Sequence, residues 1–219
     1  MAMTADGKIA TANRAAHSFG SRRDREHLYE LRATADAVMC GARTVEMSQS
    51  ILGGGGEKFR NQRLKRGLAE YNLRVIVSGS GSIDPAAEIF KKRFSPIIVL
   101  TTKRASANKL AQLRKLADEV KICGEREINF PTALRWLRTQ WNVKRLLCEG
   151  GGELNDALFR ASLVDEINLT ICPKIFGGRT APTIADGIGF PRLTDAVGFQ
   201  IQSIKTFGGE LFTVLSRPK

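Results

Sequence analysis

The chain has 219 residues, of which 42% are hydrophobic and 26% are charged. This length and balance exclude a wholly disordered or collagen-like chain and predict a folded protein with a sizeable core. No apolar run reaches the roughly 20 residues that a membrane helix needs, and the first residues lack the basic and apolar regions of a secretory signal. We therefore expect a cytoplasmic protein with no membrane partner.

The net charge is +12, from 34 Lys and Arg residues against 22 Asp and Glu residues. Such an excess attracts phosphates, whether on nucleic acids or on small anionic ligands. The basic residues are spread along the chain, and neither zinc-finger spacing nor an aromatic-rich RNA-binding signature is present. A basic nucleic-acid-binding module is therefore only a minor alternative.

The four cysteines are Cys40, Cys123, Cys148 and Cys172. They form no C-x-x-C pair, and each lies in or at the end of an apolar run, which predicts reduced thiols on strands and no metal site.

Strand and helix patterns alternate along the chain, which is typical of an α/β domain. Ser21 is placed to cap the first helix. In chain order the pattern predicts a helix over 22–34, a strand over 37–40, a short helix with Thr44 as its N-cap, a loop over 48–72 with a helix around 62–71, strands over 75–77 and 97–100, a helix over 108–117, a strand over 120–123, a helix over 131–141, a strand over 146–148, a helix over 154–163, a strand over 166–171, and a hairpin of strands 199–205 and 210–215. No repeat or linker interrupts this order, so we expect one domain over residues 1–219.

A glycine-rich turn, Glu149-Gly150-Gly151-Gly152, joins the strand over 146–148 to the next helix. Glycines there let backbone N–H groups approach a phosphate at the helix N-terminus. The turn is neither a G-x-G-x-x-G fingerprint nor a P-loop, so a plain tight turn is an equal alternative. Gly41-Ala42-Arg43-Thr44 repeats the arrangement after the strand over 37–40. Ligands of open α/β sheets bind beyond such strand ends.

Six motifs spread over nearly the whole chain carry a family resemblance. They are Met3-Thr4-Ala5-Asp6-Gly7-Lys8-Ile9-Ala10, Leu31-Arg32-Ala33, Asp36-Ala37-Val38 with Gly41 and Thr44, Glu149-Gly150-Gly151-Gly152, Leu163-Val164-Asp165-Glu166, and Pro173-Lys174 with Gly177-Gly178. In this order they resemble the reductase domain of riboflavin biosynthesis. The resemblance implies a dihydrofolate reductase-like fold, with a mostly parallel central sheet, helices on both faces and an antiparallel C-terminal strand pair. It also implies a homodimer that uses NADPH to reduce the ribosyl group of a phosphoribosylamino-pyrimidine to a ribityl chain. The H-x-E and P-C-x-x-C signature of a zinc deaminase is absent, so we expect a stand-alone reductase.

The resemblance also implies which residues form the site. On the substrate side it implies Arg32, Leu52 and Glu149, and it makes Lys8 and Glu149 the catalytic candidates for proton transfer. On the cofactor side it implies Ala2, Ser18, Thr44, Ser78, Gly151, Gly152, Glu153 and Leu154. Lys103 and Arg104 are candidates for holding a cofactor 2′-phosphate.

The segment Ser48–Gly55 departs from the family pattern. Ser48 replaces an aspartate, Ser50 a proline, and Gly55 stands near the position of the substrate-phosphate arginine. Arg60 and Arg63 are candidates to replace that arginine. These changes leave open an NADPH-dependent reductase of another heterocycle, such as a pterin, or a paralogue that binds ligand without turnover.

The start of the sequence is a further departure from the family pattern. The family has an apolar strand before the Met-Thr-x-Asp-Gly-Lys segment, whereas this sequence begins almost at that segment. Either that strand is short or the natural start lies upstream.

Overall fold

The computed structural model describes residues 1–14 and 19–218. The strands are β1 (Ala2–Thr4), β2 (Ala37–Gly41), β3 (Leu73–Val77), β4 (Ile97–Thr101), β5 (Glu119–Ile122), β6 (Leu146–Cys148), β7 (Glu166–Cys172), β8 (Gln200–Phe207) and β9 (Glu210–Ser216). The helices are α1 (Arg22–Arg32), α2 (Ala42–Ser48), α3 (Glu57–Lys65), α4 (Glu88–Lys91), α5 (Ala107–Leu116), α6 (Phe130–Trp141) and α7 (Gly152–Arg160), and a short 3-10 helix covers Leu193–Asp195. The predicted α/β alternation is confirmed, and most boundaries move by one or two residues.

The chain forms two compact units. The continuous unit comprises residues 29–149, and the split unit comprises residues 1–28 and 150–219. The single domain expected from the sequence stays a prediction.

The continuous unit is built on a parallel sheet with strand order β5-β4-β3-β2-β6. Ala37 of β2 pairs with Leu73 of β3 on one side and with Leu146 of β6 on the other. Parallel neighbours need crossover connections, which α2 to α6 supply. All five residues of β4 are buried, which explains why this strand is a continuous apolar run rather than an alternating one.

The split unit contains a second sheet with strand order β1-β7-β9-β8. In it β1 runs parallel to β7, whereas β7, β9 and β8 are antiparallel neighbours. Gly208 and Gly209, which join β8 to β9, both have positive φ (59° and 82°), as a tight two-residue hairpin requires. The predicted C-terminal antiparallel pair is therefore confirmed.

Two local predictions are wrong. The helix α2 has Gly41, in extended conformation, as its N-cap, so Thr44 lies inside the first helical turn. The helix expected around 62–71 is α3 instead, which begins after Gly56 with a favourable carboxylate, Glu57, in its first turn. Gly67, with φ 70°, then turns the chain away.

All four cysteines are free thiols, as predicted, and three of them lie on strands, whereas Cys123 follows β5. Within residues 1–14 and 19–218, no cluster of three or more His, Cys, Asp or Glu side chains is placed to hold a metal ion. No helix in the same ranges is both long and apolar enough to cross a membrane.

Candidate functional site

The strand order of the continuous unit reverses at β2. From β2 the chain continues to β3, β4 and β5 on one side, and it returns to β6 on the other side. Such a reversal leaves a crevice beyond the carboxyl ends of the two strands that flank it, where open α/β sheets bind ligands. Thr44 follows β2 and Glu149 follows β6, so both lie at this point of the sheet. The backbone N–H of Glu149 donates to Met39 O at 2.9 Å, which anchors Glu149 against β2.

Arg32 and Glu149 form a bidentate ion pair. Arg32 Nε donates to Glu149 Oε1 and Nη2 donates to Oε2, both at 2.6 Å. The side chains are only 8% and 13% exposed. Burial lowers the pKa of Arg32, but the charge and hydrogen bonds of Glu149 outweigh it, so the net shift is upward. A charge-assisted fork of this kind is among the strongest polar contacts in proteins.

The ion pair is connected to the glycine-rich segment Gly53–Gly56, because Arg32 Nη1 donates to Gly53 O at 2.5 Å. Leu52, directly before it, is completely buried in the core and has a positive φ of 50°. The side-chain amide of Asn72 donates to Leu52 O at 3.1 Å. The side chain of Leu52 therefore belongs to the core, and its contact with a substrate stays a prediction.

Gly55 cannot be replaced by a larger residue without rearrangement. It has φ 82°, and a Cβ at this position would lie 2.8 Å from the ring of Phe59 and 2.9 Å from the ring of Tyr29. A side chain at position 55 would therefore collide with these two rings.

Of the two candidate replacement arginines, Arg63 is fully engaged within the protein, whereas Arg60 is partly exposed. Arg63 is 1% exposed, and its guanidinium donates to the backbone oxygens of Arg32, Ala35 and Ala69 at 2.6–2.8 Å. Arg63 therefore stabilises the backbone at the end of α1, and its guanidinium is not available to bind a substrate. Arg60 donates to the hydroxyl of Tyr71 at 2.9 Å and lies 3.5 Å from Glu70.

Cys40, on β2, is close to the ion pair. Burial raises the pKa of its thiol far above the usual range, and the negative charge of Glu149 raises it further. Cys40 is therefore a neutral thiol and not a nucleophile.

A turn rich in hydroxyl groups follows β3. Ser78 is 7% exposed, and its hydroxyl donates to Ser82 O at 3.1 Å. The ammonium of Lys109 donates to the hydroxyl of Ser82 at 2.5 Å. Lys103, after β4, pairs with Glu125 at 2.6 Å and is largely exposed. Serine hydroxyls and lysine ammonium groups therefore lie in or beside the segments that follow β3 and β4.

In the split unit, the Asp-Gly-Lys turn is held by its own hydrogen bonds. The hydroxyl of Thr4 donates to Asp6 Oδ1 at 2.5 Å and accepts from the backbone N–H of Lys8 at 2.9 Å. Asp6 also accepts from the backbone N–H groups of Phe176 and Gly177, at 3.2 and 2.7 Å. The hydrogen bond from Thr4 and those from these amides lower the pKa of Asp6. The two motifs, Asp6-Gly7-Lys8 and Gly177-Gly178, are thus brought together.

Lys8 itself lies at the end of this turn. Its Nζ donates to Ala181 O at 3.3 Å. Lys8 belongs to the split unit, whereas Glu149 belongs to the continuous unit.

In the turn before α7, backbone conformation or close neighbours account for the glycines at positions 150 and 152. Gly150 has φ 85°, and a Cβ there would lie 2.3 Å from the methyl group of Met1. At Gly152 a Cβ would lie 2.8 Å from Thr183 O and 2.9 Å from Asp186 N. Gly151 is the N-cap of α7. The close approach of the segment around Thr183 accounts for Gly152 without any ligand.

The remaining predicted cofactor residues are spread over the split unit. Ala2 is in β1 and pairs with Thr170. Glu153 and Leu154 are in the first turn of α7, where Glu153 is exposed and Leu154 is buried. Ser18 lies outside the described residues.

Residues 1–213 match the RibD C-terminal domain family. A relative from Methanothermobacter thermautotrophicus, named 2,5-diamino-6-ribosylamino-4(3H)-pyrimidinone 5′-phosphate reductase, is 31% identical over 96% of this chain and 92% of its own length. A relative of the same name from Archaeoglobus fulgidus is 31% identical over 99% of this chain and 95% of its own length.

Among solved structures, a pyrimidine reductase-like protein from Corynebacterium diphtheriae superposes with a TM-score of 0.82. It is 20% identical, and the match covers 100% of this chain and 90% of that one, so it supports the fold alone.

Proposed function

Because the chain belongs to the RibD C-terminal domain family, we propose that it is a riboflavin-biosynthesis reductase. Its substrate would be a 5-phosphoribosylamino-pyrimidine, whose ribosyl group it reduces to a ribityl chain. The names of the relatives favour the 2,5-diamino-pyrimidinone form over the amino-uracil form.

The observation that carries this proposal is the buried Arg32–Glu149 pair at the reversal point of the sheet. A carboxylate oriented by a guanidinium retains lone pairs that can accept from sugar hydroxyls. A plain structural turn at the end of β6 would not need such a group at the place where α/β sheets bind ligands.

The groups at this edge of the sheet suit a nicotinamide cofactor. Thr44 and Ser78 supply hydroxyls after β2 and β3. We assign NADPH rather than NADH because Lys109 and Ser82 place an ammonium and a hydroxyl beside the turn after β3, and such groups bind a phosphate. When bound, the reduced nicotinamide supplies the hydride that reduces C1 of the sugar.

The protein's own residues position the sugar and move protons. Glu149 accepts from the sugar hydroxyls while Arg32 fixes its orientation. Lys8, held by Ala181 O, is the proton donor when the ribose ring opens.

We further propose a cytoplasmic homodimer. The outer strand β8 exposes Ile201, Ile204 and Phe207 by 62, 56 and 60%. An apolar edge strand with unpaired backbone groups favours pairing with another copy. Sedimentation should show a dimer, and an Ile204→Lys variant should sediment as a monomer; a wild-type monomer would contradict the assignment.

The proposed reaction is tested by nicotinamide consumption with purified protein. Each of the two phosphoribosylamino-pyrimidines is offered with NADPH and, separately, with NADH. We expect turnover of the diamino-pyrimidinone with NADPH and a kcat about a hundredfold lower for Glu149→Gln. Glu88→Gln is the matched control, since Glu88 forms an exposed ion pair with Lys91 at 2.7 Å. A kcat that is unchanged in Glu149→Gln would show that Glu149 has no part in catalysis.

A second candidate is a reductase of another heterocycle, such as a pterin. It is favoured by Gly55, whose surroundings leave no room for an arginine, and by the burial of Arg63. Tight NADPH binding without consumption of either pyrimidine, but with consumption of a dihydropterin, would establish it.

A further inference from the structure

The connection from β7 to β8 contains a segment, residues 181–190, which we call the strap. The strap contacts the turn that carries Lys8 and it also contacts α7, all within the split unit. We infer that Asp156, a buried carboxylate of α7, is a positioning residue: it fixes the strap, and the strap holds Lys8 for proton transfer. This inference rests on the proposed function, which makes Lys8 the proton donor.

The strap contacts the Lys8 turn through three consecutive residues. Ala181 O accepts from Lys8 Nζ at 3.3 Å. Pro182 O accepts from the backbone N–H of Ile9 at 2.9 Å. Thr183 forms an antiparallel bridge with Lys8. Because a lysine ammonium sits on a flexible four-carbon stem, its place depends on such contacts, and here the strap supplies them to both the backbone and the side chain.

A turn inside the strap connects its two halves. The backbone N–H and the hydroxyl of Thr183 donate to the carboxylate of Asp186 at 2.9 and 2.6 Å. Thr183 is also the strap residue that forms the bridge with Lys8. A displacement of the half that follows Thr183 therefore reaches Lys8 through this turn.

Two neighbouring side chains of α7 hold that second half of the strap. Asn155 Nδ2 donates to Ile184 O at 2.7 Å. Asp156 Oδ1 accepts from the backbone N–H of Gly189 at 3.2 Å. A Cβ at Gly187 would collide with the carboxylate of Asp156, so the strap passes directly over it. The strap is thus attached to α7 near both of its ends.

Asp156 occupies a position on α7 that is costly for a carboxylate. It is 5% exposed, and the neighbouring buried side chains of α7 are those of Leu154 and Leu158. Burying a charge lowers stability unless partners compensate for it. Arg160, at 2.9 Å, is one partner, and the N–H of Gly189 is the other. An apolar residue would serve packing alone at least as well, so the carboxylate is explained by the strap that it holds.

The kinetic test compares Asp156→Leu, which keeps the packing but removes the acceptor, with Asp156→Asn, which keeps an oxygen for the N–H of Gly189. We expect Asp156→Leu to lower kcat about tenfold and to leave the KM for NADPH unchanged within about twofold, because a displaced proton donor slows the chemical step. Asp156→Asn should stay within about threefold of the wild type. In a Lys8→Met background, Asp156→Leu should lower kcat by less than about threefold more, since residues that act through one another are not additive.

Asp195→Asn is the matched control. Asp195 pairs with Arg192 at 2.9 Å in the same connection but outside the strap, and Arg192 is 76% exposed, so kcat should not change. An unchanged kcat in Asp156→Leu, or an Asp156→Asn variant as slow as Asp156→Leu, would overturn the inference. If Asp156→Leu fails to fold, Gly187→Ala takes its place, since the added methyl group displaces the strap while the carboxylate remains.

A measurement without turnover reports on the strap directly. Hydrogen exchange of backbone amides is followed in the wild type and in Asp156→Leu, each without cofactor. The N–H of Gly189, which loses its acceptor, and the N–H of Ile9, which donates to the strap, should exchange about tenfold faster or more. The N–H of Thr170, which is hydrogen-bonded within the sheet, should exchange at an unchanged rate.

This measurement also separates the inference from the proposed function. Unchanged exchange at Ile9 in Asp156→Leu would overturn the inference even if kcat falls. If the wild type consumes no cofactor with either pyrimidine, the proposed function fails, and exchange at Ile9 still decides whether Asp156 holds Lys8 through the strap.

Discussion

Replacing Arg63 with methionine tests how much one buried arginine stabilises the continuous unit. Its guanidinium donates hydrogen bonds to three carbonyl oxygens, two of them, Arg32 O and Ala35 O, at the end of α1. Hydrogen bonds from a charged donor contribute about 1.5–3 kcal/mol each. Removing the guanidinium also removes the cost of burying its charge, which offsets several kcal/mol of that sum. We expect a net loss of about 3 kcal/mol in the free energy of unfolding.

Urea unfolding followed by tryptophan fluorescence measures this loss. The protein has 2 Trp residues, Trp136 and Trp141, and both lie on α6 in the continuous unit. The midpoint should fall without a change in slope. Arg66→Met, at an exposed arginine just after α3, should change stability by less than about 0.5 kcal/mol. A loss below about 1 kcal/mol for Arg63→Met would refute the assigned role.

Three further outcomes are expected. Gly55→Ala should lower the free energy of unfolding by about 1–3 kcal/mol in chemical denaturation, because position 55 combines a positive φ with two nearby rings. Gly198→Ala, at a glycine with open space around it, should be nearly neutral, and equal losses for the two variants would contradict this. Since the pKa of Asp6 is lowered in the folded state, its stabilising contribution is present above its unfolded pKa and is lost as pH falls through the folded value. Asp6→Asn should therefore flatten the loss of stability on acidification, and an unchanged pH profile would argue against it. Burial and, next to it, the carboxylate of Glu210 raise the pKa of Cys172 to about 12, and burial also raises the pKa of Cys40. Both thiols should therefore resist alkylation at pH 8 until the protein is unfolded. Mass spectrometry of labelled peptides measures this, and labelling of either thiol in the folded protein would contradict it.

Local patterns predicted most of the fold. Ser21 does cap α1, with its hydroxyl accepting from the N–H of Asp24 at 3.1 Å, and the apolar runs of β4 and β6 are strands. These features depend on neighbours in sequence. The sequence misplaces α3 because the polar composition of 48–72 carries only a weak helical pattern, and because the chain leaves the helix after Lys65 through the positive φ of Gly67.

The site was less predictable because its contacts are distant in sequence. Arg32 and Glu149 are 117 residues apart, and no spacing rule relates them. Sequence reasoning also missed Asn72 and treated Arg63 as a ligand candidate, although it is a buried structural group. A buried arginine on a polar helix has no local signature, since only the tertiary fold places three carbonyl oxygens around it.

The arrangement of the two units has a consequence for how the chain folds. Residues of the continuous unit are consecutive, so its sheet can form while later residues are still being synthesised. The split unit cannot, because β1 pairs with β7 and the terminal amine of Met1 donates to Asn168 O, 167 residues away. Closing a loop of this length in an unfolded chain costs about 4–5 kcal/mol of entropy beyond a constant term. Prior folding of residues 29–149 shortens the effective loop, because Arg32 and Glu149, near the two ends of that unit, are then held together at 2.6 Å.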